Sequence, residues 1–303
     1  MLTPLRLGRA LLVASLPAIA LLCGCTPPPA GVASSAAETA VDTAFANPQR
    51  VTIRGYQGDA MEPFLSRDGA ILFFNNSNDP KLNTDLYWAQ RIDDLTFRFR
   101  GEVAGVNTPA LEGVASMDRD GIFYFISPRS YAETASTLWR GRFSAGNVTG
   151  IELVPGVSLR KPGIVNFDAE IGADGSTLYF VESEFRGGSP KSARILFARR
   201  QGNSFVRSSD SARIMQAINT ESLNYAPATS PSELEIFFTR ADRNGPAIYL
   251  AARSSTSEPF QTPRRIVVIS GFAEGPTISP DARSLYYHKK ENGQFVIYRV
   301  TRP

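Results

Sequence analysis

Four carboxylates stand at matching places in a chain that offers little other chemistry. Glu62, Glu112, Asp168 and Glu274 each lie where a short strand-like segment begins, with Phe167 and Tyr225 in the same setting. Aligned, Met61, Glu112, Phe167, Tyr225 and Glu274 form one column, and Glu62, Gly113, Asp168, Ala226 and Gly275 form the next. Closely spaced carboxylates can chelate a hard cation, which takes oxygen ligands. Beside aromatic faces they suit a sugar, and two of them can act as acid and base on a glycosidic bond. The competing reading is that they are solvated caps on a rim, there only to avoid apolar exposure.

Other chemistry is sparse. His288 is the only histidine, so any Ser-His-Asp triad or His-based metal site depends on it. It follows "SLYY" at a strand end, a structural or surface setting. "SLRK" (Ser158–Lys161) has the S-x-x-K spacing of penicillin-binding enzymes, but that motif opens a helix, and here Pro155, Gly156, Pro162 and Gly163 surround it. No G-x-S-x-G, phosphate-binding glycine loop or H-E-x-x-H occurs. Both cysteines, Cys23 and Cys25, precede the body of the chain, which excludes disulfides, thiolate catalysis and Cys-ligated zinc there. No cofactor and no resident metal are expected. Formal net charge is +3, and Arg6 and Arg9 lie in a segment argued below to be removed. Without a basic stripe interleaved with aromatics, no nucleic-acid partner is expected.

Acids so far apart in sequence need a scaffold that returns to one place. Five rows supply it: "LSRDGAILFFNN", "SMDRDGIFYFIS", "IGADGSTLYFVE", "TSPSELEIFFTR" and "ISPDARSLYYHK". Each reads as a strand, a tight turn and an apolar strand. A second row follows each: "DLYWAQR", "TLWRGRF", "RILFARR", "AIYLAAR" and "VIYRVTR". Their leading aliphatics, Leu86, Leu138, Ile195, Ile248 and Ile297, are 52, 57, 53 and 49 residues apart. Periods near 50 with three or four strands each mean propeller blades. "SPDARSLYY" and "SRDGAILFF" resemble the PD40 (WD40-like) repeat in the propeller half of TolB-type periplasmic proteins, over roughly residues 48–303. TolB's separate N-terminal domain has no counterpart here.

The predicted fold is therefore all-β, a propeller of five four-stranded blades. First strands built from small residues such as Ala115, Ala169, Ala228 and Thr277 fit a crowded central channel, with Phe64 as the exception. Fourth strands are expected in "LTFRFRGEV", "NVTGIELV", "SFVRSSDSARIM" and "QTPRRIVVI", but the fifth unit has none before the chain ends. The unpartnered "NPQRVTIRGY" resembles "TPRRIVVISG", so Val51–Arg54 is expected to complete the last blade and close the ring. A six-bladed ring with one degenerate blade, or an open array, are the alternatives. Loops between second and third strands, "NSNDPKLNT", "SPRSYAETAS", "SEFRGGSPKSA", "RADRNGPA" and "KKENGQ", are expected to be the long ones and to surround the acids at one channel mouth. Function concentrates on such loops over a rigid scaffold.

The N-terminus reads as an address. A short basic region, an apolar run from Ala10 to Leu22 and small residues make a signal-peptide layout, too short for a comfortable span. "LCGC" resembles the bacterial lipoprotein lipobox, which implies cleavage after residue 24 and lipid on Cys25. Thr26 is not the Asp that retains enteric lipoproteins at the inner membrane, so the outer membrane, facing the periplasm, is expected. Residues 25–47 are Pro/Ala/Ser-rich and read as a flexible tether, with the propeller over 48–303. The functional expectation is an envelope binding or scaffolding propeller for a protein or glycan. The alternative is a carbohydrate-active enzyme using the mouth's carboxylates.

Overall fold

A computed structural model describes residues 40–79, 82–186 and 189–303. Cys25, the expected signal segment and most of the expected tether lie outside the described residues.

The chain forms a five-bladed β-propeller. Blade one holds Met61–Leu65, Ile71–Asn75, Leu86–Asp93 and Thr96–Glu102, and blade two Gly113–Met117, Ile122–Ile126, Leu138–Ser144 and Asn147–Leu153. Blade three holds Ile164–Ile171, Thr177–Arg186, Ser189–Gln201 and Ser204–Arg207. Blade four holds Leu223–Thr229, Glu235–Asp242, Gly245–Ala252 and Arg264–Ile266. Blade five contributes Ala273–Ile278, Ser284–Glu291 and Gln294–Thr301, and its outer strand comes from the other end of the chain. The first strand of each blade is innermost, and these strands neighbour one another around the axis.

The doubled aromatics explain how the blades stack. Side chains alternate faces along a strand, so adjacent rings serve opposite neighbours. Phe73 packs between blades one and two, and Phe74 between blades five and one. Phe237 faces blade five while Phe238 faces blade three, and Tyr286 and Tyr287 divide in the same way. The core is thus five wedges between blades rather than one centre. Each fully buried aromatic contributes roughly 1.5–3 kcal/mol by leaving water. Phe64, the bulky inner residue, joins the wedge between blades one and two and lies under the Arg67 guanidinium, 5.1 Å from its ring centre.

Closure uses a different register from the one expected. Ala46–Arg50 pairs antiparallel with Gln294–Thr301 as the outer strand of blade five, while Thr52–Arg54 crosses to blade one and adds a parallel fifth strand to Thr96–Glu102. The switch falls at Val51, whose N–H donates to Ile297 O (2.8 Å) while the next N–H donates to Leu95 O (2.8 Å). Buried Val51 fills the wedge between the two blades, which fixes the crossing point. Strand structure also reaches into the expected tether: Val41–Asp42 pairs parallel with Arg264–Ile266 of blade four. Phe45, between these two strands, is buried in the wedge of blades four and five. One N-terminal strap therefore binds three blades in succession.

Candidate functional site

Each inner strand carries a bulge near its start, with the register slipping between Met61 and Phe64, Gly113 and Ser116, Asn166 and Ala169, Tyr225 and Ala228, and Glu274 and Thr277. A bulge bends the strand and re-aims a side chain. It also strips one amide of its ladder partner, and the adjoining blade supplies a replacement. Asn75 Oδ1 accepts from Val114 N (3.3 Å), Asp168 Oδ2 from Ala226 N (2.7 Å), and Thr239 Oγ1 from Gly275 N (3.1 Å). His288 Nδ1 does the same for Glu62 N (3.1 Å), so the bulges of blades one, two, four and five are capped in this way. The bulged residues Glu62, Val114, Ala226 and Gly275 all have positive φ. Gly275 is needed for space as well: a Cβ there would stand 2.5 Å from Glu62 Oε2 and 2.9 Å from His288 Nδ1.

The bulges turn three of the four carboxylates into the channel mouth. Glu62, Asp168 and Glu274, from blades one, three and five, line a cavity of about 450 Å³ with Phe167 and Tyr225. Glu112 does not join them. In blade two the bulge starts at Gly113, one residue later than the sequence alignment assumed, so Glu112 stays inside the blade. There it accepts from Thr108 N (2.7 Å), Thr108 Oγ1 (2.8 Å) and Ser127 Oγ (2.6 Å) and faces Arg129 at 3.4 Å. It is a fully satisfied internal acid.

The mouth acids are buried but not solvated caps. Glu274 accepts from the Tyr225 hydroxyl on Oε1 and meets His288 Nε2 at 3.2 Å on Oε2. Glu62 Oε1 accepts from Asn78 Nδ2 (2.9 Å). Among the described residues, nothing donates a hydrogen bond to Asp168 Oδ1 or Glu62 Oε2. Burial pushes the Asp168 carboxyl well above its usual range, the charges of Glu62 and Glu274 add to the rise, and the Ala226 N–H opposes it. Burial also raises Glu62; His288 and Asn78 pull it down, and Glu274 pushes it up. For His288, burial disfavours the imidazolium, but Glu62 and Glu274 outweigh it and raise the pKa. The Glu62 N–H opposes that change, because protonating Nδ1 breaks the hydrogen bond it accepts. Burial and Glu274 likewise raise the Tyr225 hydroxyl, so it stays a donor.

Below the acids the channel narrows to about 20 Å³ between the inner strands, room for about one water. Beyond this, Arg67 reaches across from the turn of blade one: Nη2 donates to Glu170 Oε1 (2.8 Å) and to Ile171 O, and Nε donates to Met117 O (3.1 Å). Ser116 Oγ holds the other Glu170 oxygen at 2.7 Å. The mouth is a blind pocket, not a pore.

Its rim is lopsided. Blade one contributes the Asn76–Asp85 loop, blade two a loop with the helical turn Tyr131–Thr134, and blade three a hairpin whose Phe185 and Pro190 line the cavity. The loops expected to be long in blades four and five are tight, with paired strands running to Asp242↔Gly245 and Glu291↔Gln294. Apolar walls come from Phe167, Phe185, Phe272 and Phe295; the first pair meets edge-on at 6.3 Å and the second at 5.8 Å. No group of three His, Cys, Asp or Glu among the described residues is arranged to hold a metal ion.

Sequence reasoning missed His288, which is completely buried and touches two of the acids. Three of the rows carried a signal: the polar residue that ends the apolar run in blades one, four and five, Asn75, Thr239 or His288, caps a neighbour's bulge. "SLRK" remains a connection, with Ser158 Oγ donating to Asn166 Oδ1 (3.0 Å).

No protein-family model matches the chain, and no curated protein matches it. Solved structures do match. A family 117 glycoside hydrolase from Zobellia galactanivorans aligns with TM-score 0.56 at 8% identity, covering 85% of this chain and 90% of that one. The arabinofuranosidase PaAbf62A from Podospora anserina aligns with TM-score 0.50 at 9% identity, covering 86% and 96%. A putative TolB from Agrobacterium tumefaciens has 18% identity and TM-score 0.42, covering 65% of this chain and 62% of that chain. These neighbours share a fold. The chain spans less than two thirds of the TolB structures it matches, and likeness at this level carries no activity across.

Proposed function

We propose that this chain is a binding propeller, held at the bacterial envelope by lipid on Cys25, that engages a glycan or a protein through its loop-rich mouth. The observation that carries the reading is the blind pocket itself: carboxyl side chains from three blades lining one cavity with an aromatic wall, and rim loops from blades one to three. Ligand sites are typically concave and mostly apolar, with a few convergent polar groups. Anchoring rests on the lipobox resemblance at "LCGC". Several acyl chains on one residue give a stable tether where one is marginal, and Thr26, in place of an Asp, supports the periplasmic face of the outer membrane as its location. Ala40 O already accepts from Arg265 N (2.9 Å), so the propeller begins before residue 48.

A second reading is a carbohydrate-active enzyme using Glu62, Asp168 and Glu274. What favours it is that acids from three blades share one pocket and that glycoside hydrolases stand among the structures with the same fold. A pull-down with the mature lipoprotein from its own envelope, run beside a glycan array on residues 40–303, tests the binding reading. Capture of neither protein nor glycan refutes it. Release of reducing ends from an array hit, abolished by Asp168→Asn, supports the enzyme instead. Radioactive palmitate tests the anchor, since Cys25→Ala should abolish incorporation and persistence refutes the assignment.

A further inference from the structure

Nine acids are buried among the described residues, and five have an arginine partner within 4.0 Å: Asp42 with Arg264, Glu112 with Arg129, Asp118 with Arg200, Glu170 with Arg67, and Glu233 with Arg253. Buried charge is normally paired in this way, because an uncompensated ion is costly. Of the remaining four, Asp85 stands in the rim loop, held by the Asn83 side chain (2.7 Å). The other three are the mouth's Glu62, Asp168 and Glu274. No arginine is bonded to them, and the one basic side chain in contact, His288, has both nitrogens engaged. Even protonated it brings one positive charge to three carboxyl groups, and in the free protein Asp168 meets the shortfall by holding its proton, which a bound cation would displace.

Two further observations give this imbalance a direction. Asp168, 4% exposed, lines the cavity, and among the described residues neither its Oδ1 nor Glu62 Oε2 receives a hydrogen bond. The rings of Phe167, Phe185 and Phe272 line the same cavity, while Phe295 already carries the Lys290 ammonium, 5.4 Å from its ring centre. Carboxylates at the bottom and aromatic faces on the sides form a setting for an organic cation, which gains from both. A metal ion would need three convergent ligands, which the described residues do not offer, and would leave the aromatic wall unused.

We infer that the mouth is built for a ligand carrying a protonated amine, and that within the glycan class it selects an amino sugar, the ammonium lying between Asp168 Oδ1 and Glu62 Oε2. This rests on the glycan arm of the function proposed above. In a neutral saccharide the hydroxyls can accept and donate, but no positive charge offsets the acids.

The test is calorimetric titration of residues 25–303, carrying Cys25→Ser, with three matched trimers. These are β-1,4-linked glucosamine, N-acetylglucosamine and glucose, which differ only in the group at C2. Cyclohexylamine, a ring-sized amine without sugar hydroxyls, is the fourth ligand. The expected result is that the glucosamine trimer binds at least tenfold more tightly than either neutral trimer. Asp168→Asn with Glu62→Gln should remove that preference, bringing the glucosamine trimer to within about twofold of the two neutral trimers. Equal binding of all three trimers overturns the amine inference and leaves the glycan reading standing. Binding of cyclohexylamine alone supports the amine and overturns the glycan reading, and binding of none overturns both. Should the double variant fail to fold, the wild-type series still decides.

Discussion

Phe45→Ala offers a severe trial of the strap, because the sequence around it reads as linker. Phe45 is 2% exposed, its ring meets Phe237 edge-on at 5.9 Å, and the Arg302 guanidinium stands 5.0 Å from its centre. That guanidinium is itself fixed by Glu235 through Nη1 (2.7 Å) and Nη2 (2.5 Å), so it cannot readily swing into the space left behind. Truncating a buried Phe to Ala costs about 3–5 kcal/mol when the surroundings do not collapse. The edge-on pair and the cation contact, worth about 0.5–1.5 and 0.5–1 kcal/mol, are parts of that figure and not additions to it. We therefore expect a loss of about 3–5 kcal/mol in urea unfolding of residues 40–303 followed by tryptophan fluorescence. Gln49→Ala, on an exposed strand position of the same strap, should stay within about 0.5 kcal/mol. A loss below about 1 kcal/mol for Phe45→Ala would refute the claim that the strap belongs to the core.

Three other outcomes follow from the site. At pH below its ordinary pKa of 3.8, Asp168 is protonated folded or unfolded; above it the unfolded chain ionises while the folded chain holds its proton. Stability should therefore fall as pH rises through that window, by about 1.4 kcal/mol for each tenfold change in the folded acid constant, and Asp168→Asn should flatten the slope in urea titrations. Gly275→Ala places a Cβ against Glu62 Oε2 at positive φ and should cost about 1–3 kcal/mol, read as a lowered melting midpoint. Arg67→Met leaves Glu170 buried without its cation and should cost about 3–5 kcal/mol, with Arg67→Met plus Glu170→Gln recovering part of it.

The blades were legible because their signal is redundant. Five aromatic pairs at a near-constant period each say the same thing, and alternation along a strand sends one ring to either neighbour. Closure from the N-terminus was legible too, since Gln294–Thr301 needed a partner. Its register was not, because exposed Ala46–Arg50 carries no apolar pattern, while the more strand-like Thr52–Arg54 draws attention and goes to blade one. Glu112 shows the same weakness in the site. A bulge moves the mouth by one residue without any mark in composition: it starts one residue later than the aligned column in blade two and one earlier in blade three, so three of the four aligned acids reach the mouth and Glu112 does not. His288 was hidden because its role, capping the amide of a residue 226 positions away, exists only once the ring has closed.

The central claim is that ligand meets this protein at the acidic mouth. Hydrogen exchange with mass spectrometry on the mature protein, with and without a captured envelope glycan or partner, tests it most directly. Protection should appear in the Asn76–Asp85 loop, the hairpin of blade three near Phe185 and the starts of the inner strands at Met61, Ile164 and Ala273. Protection confined to the turns at Asp68, Asp174 and Asp281 on the opposite face would contradict the account.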